Sequence, residues 1–397
     1  MIASRRVLSL STLYPNALSP RFGTFVARSL EALAARGDWD VTVVNPIGIP
    51  PIAFGPYRAL RDAALDGVEG GVQVYRPRFT LIPRVGGRFN PGAIVRAALP
   101  LVRRLHAEKP FDVIDAQFFY PDGPAIARIA AALNVPYSIK ARGADISFWG
   151  RKPYALRMMR EAADGATGLL AVSRALADDM ATIGLPSDRM SLHYTGLDRT
   201  LFHPRNRAET RRHLASLHGT ALPASGRLLA TVGALIPRKG QAYVIRALPD
   251  LPDAHLLLVG KGQDESLLRD LAKELGVAER VHFLGSLDHT ALPLVLAACD
   301  AMVLPSASEG LANAWVEALA CGTPLVITEA GGARELVKDD SAGLIVPRDS
   351  RAIAAAVRDL LSSPRDPAVV AAHAAPFSWE NNAAALAAWY ESLAGAH

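Results

Sequence analysis

Short apolar, β-rich runs alternate along the chain with stretches whose apolar positions recur at helical spacing. Val7–Thr12 predicts a first strand; Phe25, Val26, Leu30, Leu33 and Ala34 then share a helical face, and Gly37 stops that helix. Val41–Val44, Val113–Ala116, Tyr137–Ala141 and Leu169–Val172 predict buried strands with helices between them. The same alternation restarts at Leu228–Gly233 and runs through His255–Gly260, Val281–Gly285, Ala301–Pro305, Pro324–Thr328 and Gly343–Val346. Apolar strands alternating with helices across short turns imply parallel sheets covered on both faces. The polar, Arg-rich stretch His203–Gly226 separates the two runs and predicts a linker. The expected fold class is α/β, with two doubly wound Rossmann-like domains facing across a cleft and ligands outside the carboxyl ends of the strands.

Composition agrees with this division. The chain has 397 residues, half of them hydrophobic and 20% charged, with 31 Gly and 28 Pro, an ordinary globular mixture. A single core stops growing near ~250–300 residues, so two domains are expected. Two cysteines, Cys299 and Cys321, exclude a disulfide framework and point to a reducing compartment. No apolar run approaches the ~18 residues of a membrane span, and the N-terminus does not read as a secretory signal. A soluble, cytoplasmic chain is the expectation.

Charge is unevenly placed. Residues 1–200 carry 25 Lys/Arg against 17 Asp/Glu, whereas residues 201–397 carry 18 against 21. Between Glu69 and Glu108 lie Arg76, Arg78, Arg84, Arg88, Arg96, Arg103 and Arg104 with no acid among them. Such a run suits an anionic lipid surface or a phosphorylated acceptor; a solvated helix face and its loop account for it equally well. No nucleic-acid module or aromatic interleaving accompanies the arginines, so no nucleic-acid partner is expected.

The candidate chemistry is concentrated in the second half. After the strand Ala301–Leu304 come Glu309-Gly310-Leu311-Ala312-Asn313, then Glu317 and Cys321-Gly322-Thr323-Pro324. Leu311 is expected to begin a helix that Gly322 ends. The first-turn amides of Leu311, Ala312 and Asn313, lacking intrahelical acceptors, form a phosphate site. Glu309 stands just before it, and Glu317 lies roughly 12 Å along the helix at ~1.5 Å per residue. Two Glu eight residues apart are common on solvated helices; the strand–Glu–Gly–helix–Glu–Ala–x–Ala–Cys–Gly–Thr–Pro context is far more specific. A second loop follows a strand ending at Gly233, where backbone can approach a ligand, and carries Arg238-Lys239-Gly240 before a helix. Cations opposing a helix dipole suggest an anionic partner such as a diphosphate. The histidines are scattered and suggest no metal site.

Together Glu309-x7-Glu317, Arg238-Lys239-Gly240, Val259-Gly-Lys-Gly262 and Phe283-Leu-Gly285 resemble retaining glycosyltransferase family 4, of the GT-B fold (glycosyl transferases group 1). Tyr120-Pro-Asp-Gly123, Ala141-Arg-Gly-Ala-Asp145, Thr195-Gly196-Leu197-Asp198 and Phe377-Ser-Trp-Glu380 extend the resemblance over nearly the whole chain. It implies an acceptor-binding domain over 1–200, a nucleotide-sugar domain over 201–375 and a helix over 376–397 crossing back to the first. It implies Glu309 beside the donor sugar, with Arg142 and Asp145 as further catalytic residues. Arg238 and Lys239 are implied on the donor diphosphate, Gly233, Gly310 and the Leu311–Asn313 amides around it, Glu317 on the ribose and Leu284 near the base. Gly23 and Thr24 match a loop near phosphate and acceptor. The resemblance also implies that cofactors are none and no metal is required, with a nucleotide-diphosphate sugar as co-substrate. The expected partners are a sugar, lipid-linked or other anionic acceptor and, through Arg76–Arg104, an anionic membrane surface at which the chain is peripheral.

Three positions depart from the family, one of them Thr195 in place of the usual Asn before Gly196. Gln117 and Arg142 stand where many members have His, and Arg142 offers a permanent cation to an acceptor phosphate or carboxylate; a pairing of Arg142 with Asp145 across the turn is the structural alternative. The activity implied is metal-independent, retaining transfer of a sugar to an acceptor hydroxyl in polysaccharide or glycoconjugate synthesis. A GT-B sugar-nucleotide epimerase and a non-catalytic GT-B binding subunit remain alternatives.

Overall fold

A computed structural model describes residues 4–52, 58–60, 64–82, 86–218 and 226–395. The chain divides into two compact units, one built from residues 1–196 and 379–397, the other from 197–378.

The first unit centres on an eight-stranded sheet. Its strands are β1 (Arg5–Leu10), β2 (Trp39–Val44), β4 (Gly67–Glu69), β5 (Val72–Tyr75), β7 (Val113–Ala116), β8 (Tyr137–Ala141), β9 (Gly168–Ala171) and β10 (Met190–Leu192). They lie in the order β10-β9-β8-β7-β1-β2-β5-β4, and all pairs except β4–β5 are parallel. β3 (Ile47–Ile49) and β6 (Arg78–Thr80) form a separate parallel pair. The central strands are buried on both faces, as parallel strands between helical layers must be. Helix Thr24–Ala35 buries Val26, Leu30 and Leu33 beside β1 and β2.

The terminal helix Trp379–Ala394 completes this core with Leu386, Tyr390 and Leu393, Tyr390 meeting Trp39 edge-on at 5.5 Å. Its docking is also polar. Asn382 accepts from Ser29 Oγ (2.6 Å) and donates to Tyr194 O (2.6 Å). His193 Nε2 donates to Asn382 O at 2.9 Å, and its Nδ1 faces the buried Lys140 ammonium. Burial lowers the pKa of both Lys140 and His193. A β-carbon on Gly196 would fall 2.1 Å from the Trp379 ring, so the helix approaches the chain here as closely as glycine allows.

The second unit holds β11 (Arg227–Val232), β12 (Ala254–Val259), β13 (Val281–Gly285), β14 (Ala301–Leu304), β15 (Leu325–Ile327) and β16 (Gly343–Ile345). They form one parallel sheet in the order β13-β12-β11-β14-β15-β16. Leu229, Leu256, Leu258, Val303, Val326 and Val357 are at its core. Cys299 and Cys321 are buried free thiols.

Two expectations need correction. The stretch read as a linker contains the helix Arg207–His218, which belongs to the second unit. Arg211 pins it, donating to Asp300 Oδ2 at 2.6 Å and Ala298 O at 2.8 Å. The basic run is also not one surface. Arg76 is buried, paired with Glu69 at 2.7 Å and bonded to Leu65 O and Pro15 O, whereas Arg88, Arg96, Arg103 and Arg104 are exposed; Arg84 lies outside the described residues. Among the described residues, no helix is long and apolar enough to cross a membrane.

Candidate active site

In an open parallel sheet, a crevice opens where the strand order reverses, because the connections after the two central strands diverge to opposite faces. In the second unit those strands are β11 and β14, paired through Leu229–Ala301 and Ala230–Met302. The loops leaving their carboxyl ends carry the predicted chemistry. After β11 the chain passes Gly233 (φ 152°), makes one 3-10 turn over Pro237–Lys239, and enters helix Gln241–Ala247 through Gly240 (φ 78°). A β-carbon on Gly240 would sit 2.4 Å from Pro305 O, so only glycine lets this loop press against the one after β14. Arg348 clamps both loops, with Nε on Pro305 O (2.8 Å) and Nη2 on Pro237 O (2.5 Å). Ala307 N adds a bond to Arg238 O at 2.8 Å.

The clamp brings the predicted charges together. Lys239 Nζ lies 2.5 Å from Glu309 Oε1, and Arg238 Nη1 lies 3.5 Å from the same oxygen and 2.5 Å from Ser308 O. The side chains of Glu309 and Lys239 are 9% and 14% exposed, and that of Arg238 is 44% exposed. Two cations share one carboxylate, which leaves a net positive charge in a largely desolvated corner. Removing either inner partner would strand the other's charge.

The helix after Glu309 starts later than expected. It spans Asn313–Ala320, with Ala312 extended at its N-cap, so Leu311 and Ala312 precede the helix rather than form its first turn. The helix does end at Gly322 (φ 76°). Glu317 is buried on it, 3.3 Å from His289 Nε2. Leu284 is half-buried in β13. Gly310 is buried, its carbonyl accepting from Gly332 N at 2.8 Å.

The first unit has its own reversal, between β1 and β7. Gly23 (φ 71°) opens helix Thr24–Ala35, and a β-carbon there would meet Leu13 C and O at 2.5 Å; Thr24 is exposed. Gln117 follows β7 and Arg142 follows β8. Arg142 does not pair its guanidinium with Asp145. Its Nε donates to Gln117 O (3.0 Å), its Nη2 to Gln117 Oε1 (2.5 Å), and its plane lies 4.9 Å over the Phe25 ring. Burial lowers its pKa to about 10, partly offset by the Asp145 and Asp115 charges, so it stays cationic at neutral pH. Asp145 is fully buried, and its carboxylate accepts from the amides of Phe119, Arg142, Gly143 and Ile146 at 2.8–3.2 Å. Those bonds make Asp145 a positioning residue for the turn that carries Arg142, not a group available to substrate. Among the described residues, no cluster of three or more His, Cys, Asp or Glu is placed to hold a metal ion.

The family model for glycosyl transferases group 1 matches residues 219–375, and that for the glycosyl transferase 4-like domain matches residues 22–196. The chain belongs to this glycosyltransferase family. Glycosyl transfer is its activity, and its two doubly wound units are those of a GT-B enzyme. A putative teichuronic acid biosynthesis glycosyltransferase, TuaC of Bacillus subtilis, is 26% identical over 363 residues, 89% of this chain and 88% of the relative. A D-inositol 3-phosphate glycosyltransferase of Mycobacterium marinum is 36% identical over 219 residues, 52% of this chain but only 46% of the relative, so that match spans about half of that enzyme. Among solved structures, Anabaena HepE in complex with UDP superposes with a TM-score of 0.74 at 21% identity, covering 98% of this chain and 100% of that one. Sucrose-phosphate synthase from Thermosynechococcus elongatus gives 0.77 at 22%, covering 99% and 100%. At these identities the structures show the shared fold.

Three contributors to this candidate site escaped sequence reasoning. Arg348 holds the two loops but is distant in sequence from both. Gly331 (φ 51°) sits where a β-carbon would be 2.2 Å from Glu309 O, so it permits the path of the Glu309 loop; a Gly-Gly pair just past a strand was its available signal. His289 reaches Glu317 through tertiary packing alone.

Proposed function

We propose that this glycosyltransferase moves a sugar from a nucleoside-diphosphate sugar to an acceptor hydroxyl with retention of configuration and without a metal ion, in polysaccharide or glycoconjugate synthesis. The observation that carries the reading is the meeting of Arg238, Lys239 and Glu309 at the β11/β14 reversal. HepE solved with UDP and with UDP-glucose supports the donor class, and TuaC, named for teichuronic acid biosynthesis, supports the product class.

In this reading Arg238 and Lys239 grip the diphosphate, helped by the amides at the start of helix Asn313–Ala320. Gly233 and Gly310 admit the ligand beside the backbone, Glu317 accepts from the ribose hydroxyls, and Leu284 lies beside the base. Charge grows on the leaving oxygen as the glycosidic bond breaks, and the two cations stabilise it there. They do the work a divalent ion performs elsewhere. The acceptor hydroxyl attacks the face the diphosphate leaves and gives its proton to that diphosphate. Glu309 orients sugar hydroxyls or steadies the oxocarbenium-like centre. Gly23 and Thr24 serve the acceptor side of the reaction.

The test is titration of the purified chain with UDP, ADP and GDP, followed by transfer from the matching sugar nucleotide with and without EDTA. A binding base raises the melting temperature by mass action. Glu309→Gln is expected to bind the nucleotide at least as tightly, since it removes a carboxylate competing for Lys239, and to transfer about 10²-fold more slowly. Unchanged transfer removes Glu309 from the mechanism, and an EDTA-sensitive rate removes metal independence. An inverted product anomer ends the retaining reading. An isomeric sugar nucleotide formed without acceptor would establish the epimerase instead, and binding without turnover the non-catalytic subunit.

A further inference from the structure

We propose that Arg142 is a substrate-recognising cation, aimed by Gln117 and Asp115, that takes an oxyanion group (carboxylate or phosphate) carried by one of the two sugar substrates. The inference rests on the transfer reading above and names the chemical class of substrate it would handle.

Arg142 has no acid of its own. Arg142 is half-buried at the carboxyl end of β8, yet among the described residues it forms no ion pair. The two nearby carboxylates are engaged elsewhere: Asp145 by four backbone amides, Asp115 by the Gln117 side chain. The Asp145 and Asp115 charges offset only part of the cost of burying this cation, and neither carboxylate forms an ion pair with it.

The guanidinium is nevertheless held firmly. Gln117 is 1% exposed, and its amide can adopt only one orientation. Asp115 only accepts and Arg142 only donates, so the amide nitrogen must face Asp115 and the amide oxygen must face Arg142. A flipped amide would set donor against donor and acceptor against acceptor. Gln117 is fixed in turn by its backbone, which donates to Leu10 O at 3.1 Å beside the β1/β7 reversal. With Nε and Nη2 on Gln117 and one face on Phe25, Arg142 has Nη1 left without a hydrogen bond among the described residues. Phe25 is the second residue of the helix opened by Gly23, so the guanidinium also stands where that helix's partial positive charge adds to its own. A fixed, always-charged planar donor at a strand-order reversal is suited to an oxyanion.

The anionic group could come from the donor sugar or from the acceptor, and calorimetric titration separates them. In the donor arm, UDP-glucuronic acid is compared with UDP-glucose; in the acceptor arm, glucose 6-phosphate and glucuronate are compared with glucose at saturating UDP. In one arm the anionic probe is expected to bind at least about tenfold tighter, ~1.4 kcal/mol. Arg142→Gln brings the ratio of anionic to neutral affinity down to about one, and Arg142→Lys keeps part of the preference. Gln117→Leu weakens the preference in the native background and adds nothing to Arg142→Gln, the signature of a residue acting through its partner. Circular dichroism confirms that each variant is folded. Equal binding of charged and neutral probes in both arms, or a preference that survives Arg142→Gln, overturns the proposal. A Gln117→Leu variant that weakens neutral and anionic probes alike removes the positioning role. A chain that binds no nucleoside diphosphate sinks the transfer reading instead, a separate failure.

Discussion

Asp122 is the first residue of the helix Asp122–Leu133 and has no exposed surface. Its Oδ2 accepts from Thr12 N at 2.8 Å, and its Oδ1 has no partner among the described residues. Burial, reinforced by the Asp145 and Asp115 charges, pushes its pKa up to about 7 against the pull of the Thr12 hydrogen bonds. Burial likewise raises Asp115 to about 6. A carboxyl whose folded pKa lies above its unfolded value holds its proton more tightly when folded. Its contribution is therefore full below the unfolded value, near ~3.9, and is lost as pH rises through the folded one. Asparagine keeps the acceptor for Thr12 and removes the titration. Asp122→Asn is expected to be near neutral at pH 4 and stabilising at pH 8 by up to about 4 kcal/mol. Melting temperatures at the two pH values check this; a larger penalty at pH 8 contradicts it. At this scale Glu309, Arg238 and Lys239 were legible because their residue types and spacing are unusual at strand ends. Arg348 was not, because its guanidinium acts on carbonyls of Pro237 and Pro305, which no local pattern links to it.

Among elements, the central strands were legible because burial on both faces leaves unbroken apolar runs. The edge pieces were harder. β4 and β5 form an antiparallel hairpin across Gly70 and Gly71, both at positive φ, a signal present in the sequence but obscured by the shortness of the strands. Helix Arg207–His218 was hidden because its surface is mostly polar and Asp300, far along the chain, supplies its anchor. The helix after Glu309 begins at Asn313 because Ala312 stays extended, which residue type alone did not reveal. Two glycines in the second unit test how much the loop contact matters. Gly240 (φ 78°) and Gly276 (φ 67°) have similar backbones, but a β-carbon would strike Pro305 O at the first and meet nothing within 4 Å at the second. Gly276→Ala carries only the cost of the left-handed conformation, ~1–2 kcal/mol. Gly240→Ala adds a backbone clash and is expected to cost about 1–3 kcal/mol more and to weaken UDP binding. Urea unfolding and titration compare the two; equal costs would show that the loop can move away freely.

At the level of the molecule, the second unit is one continuous segment with its own core, whereas the first is assembled from two pieces of chain. A fragment spanning residues 197–378 is accordingly expected to fold alone and to bind UDP within a few-fold of the full chain. Titration of the fragment checks this; a folded fragment that ignores UDP, beside a full chain that binds it, would place essential donor contacts outside the segment.

The terminal helix has a consequence for timing. Asn382, Leu386 and Tyr390 leave the ribosome long after Ser29, Leu30 and Trp39, the residues they cover. At ~5–20 residues per second, the segment between the two pieces keeps that apolar face waiting for roughly 10–40 s. Until the helix Trp379–Ala394 emerges, the first unit therefore stays open on one face, and a nascent chain stalled near residue 378 would present that face to chaperones.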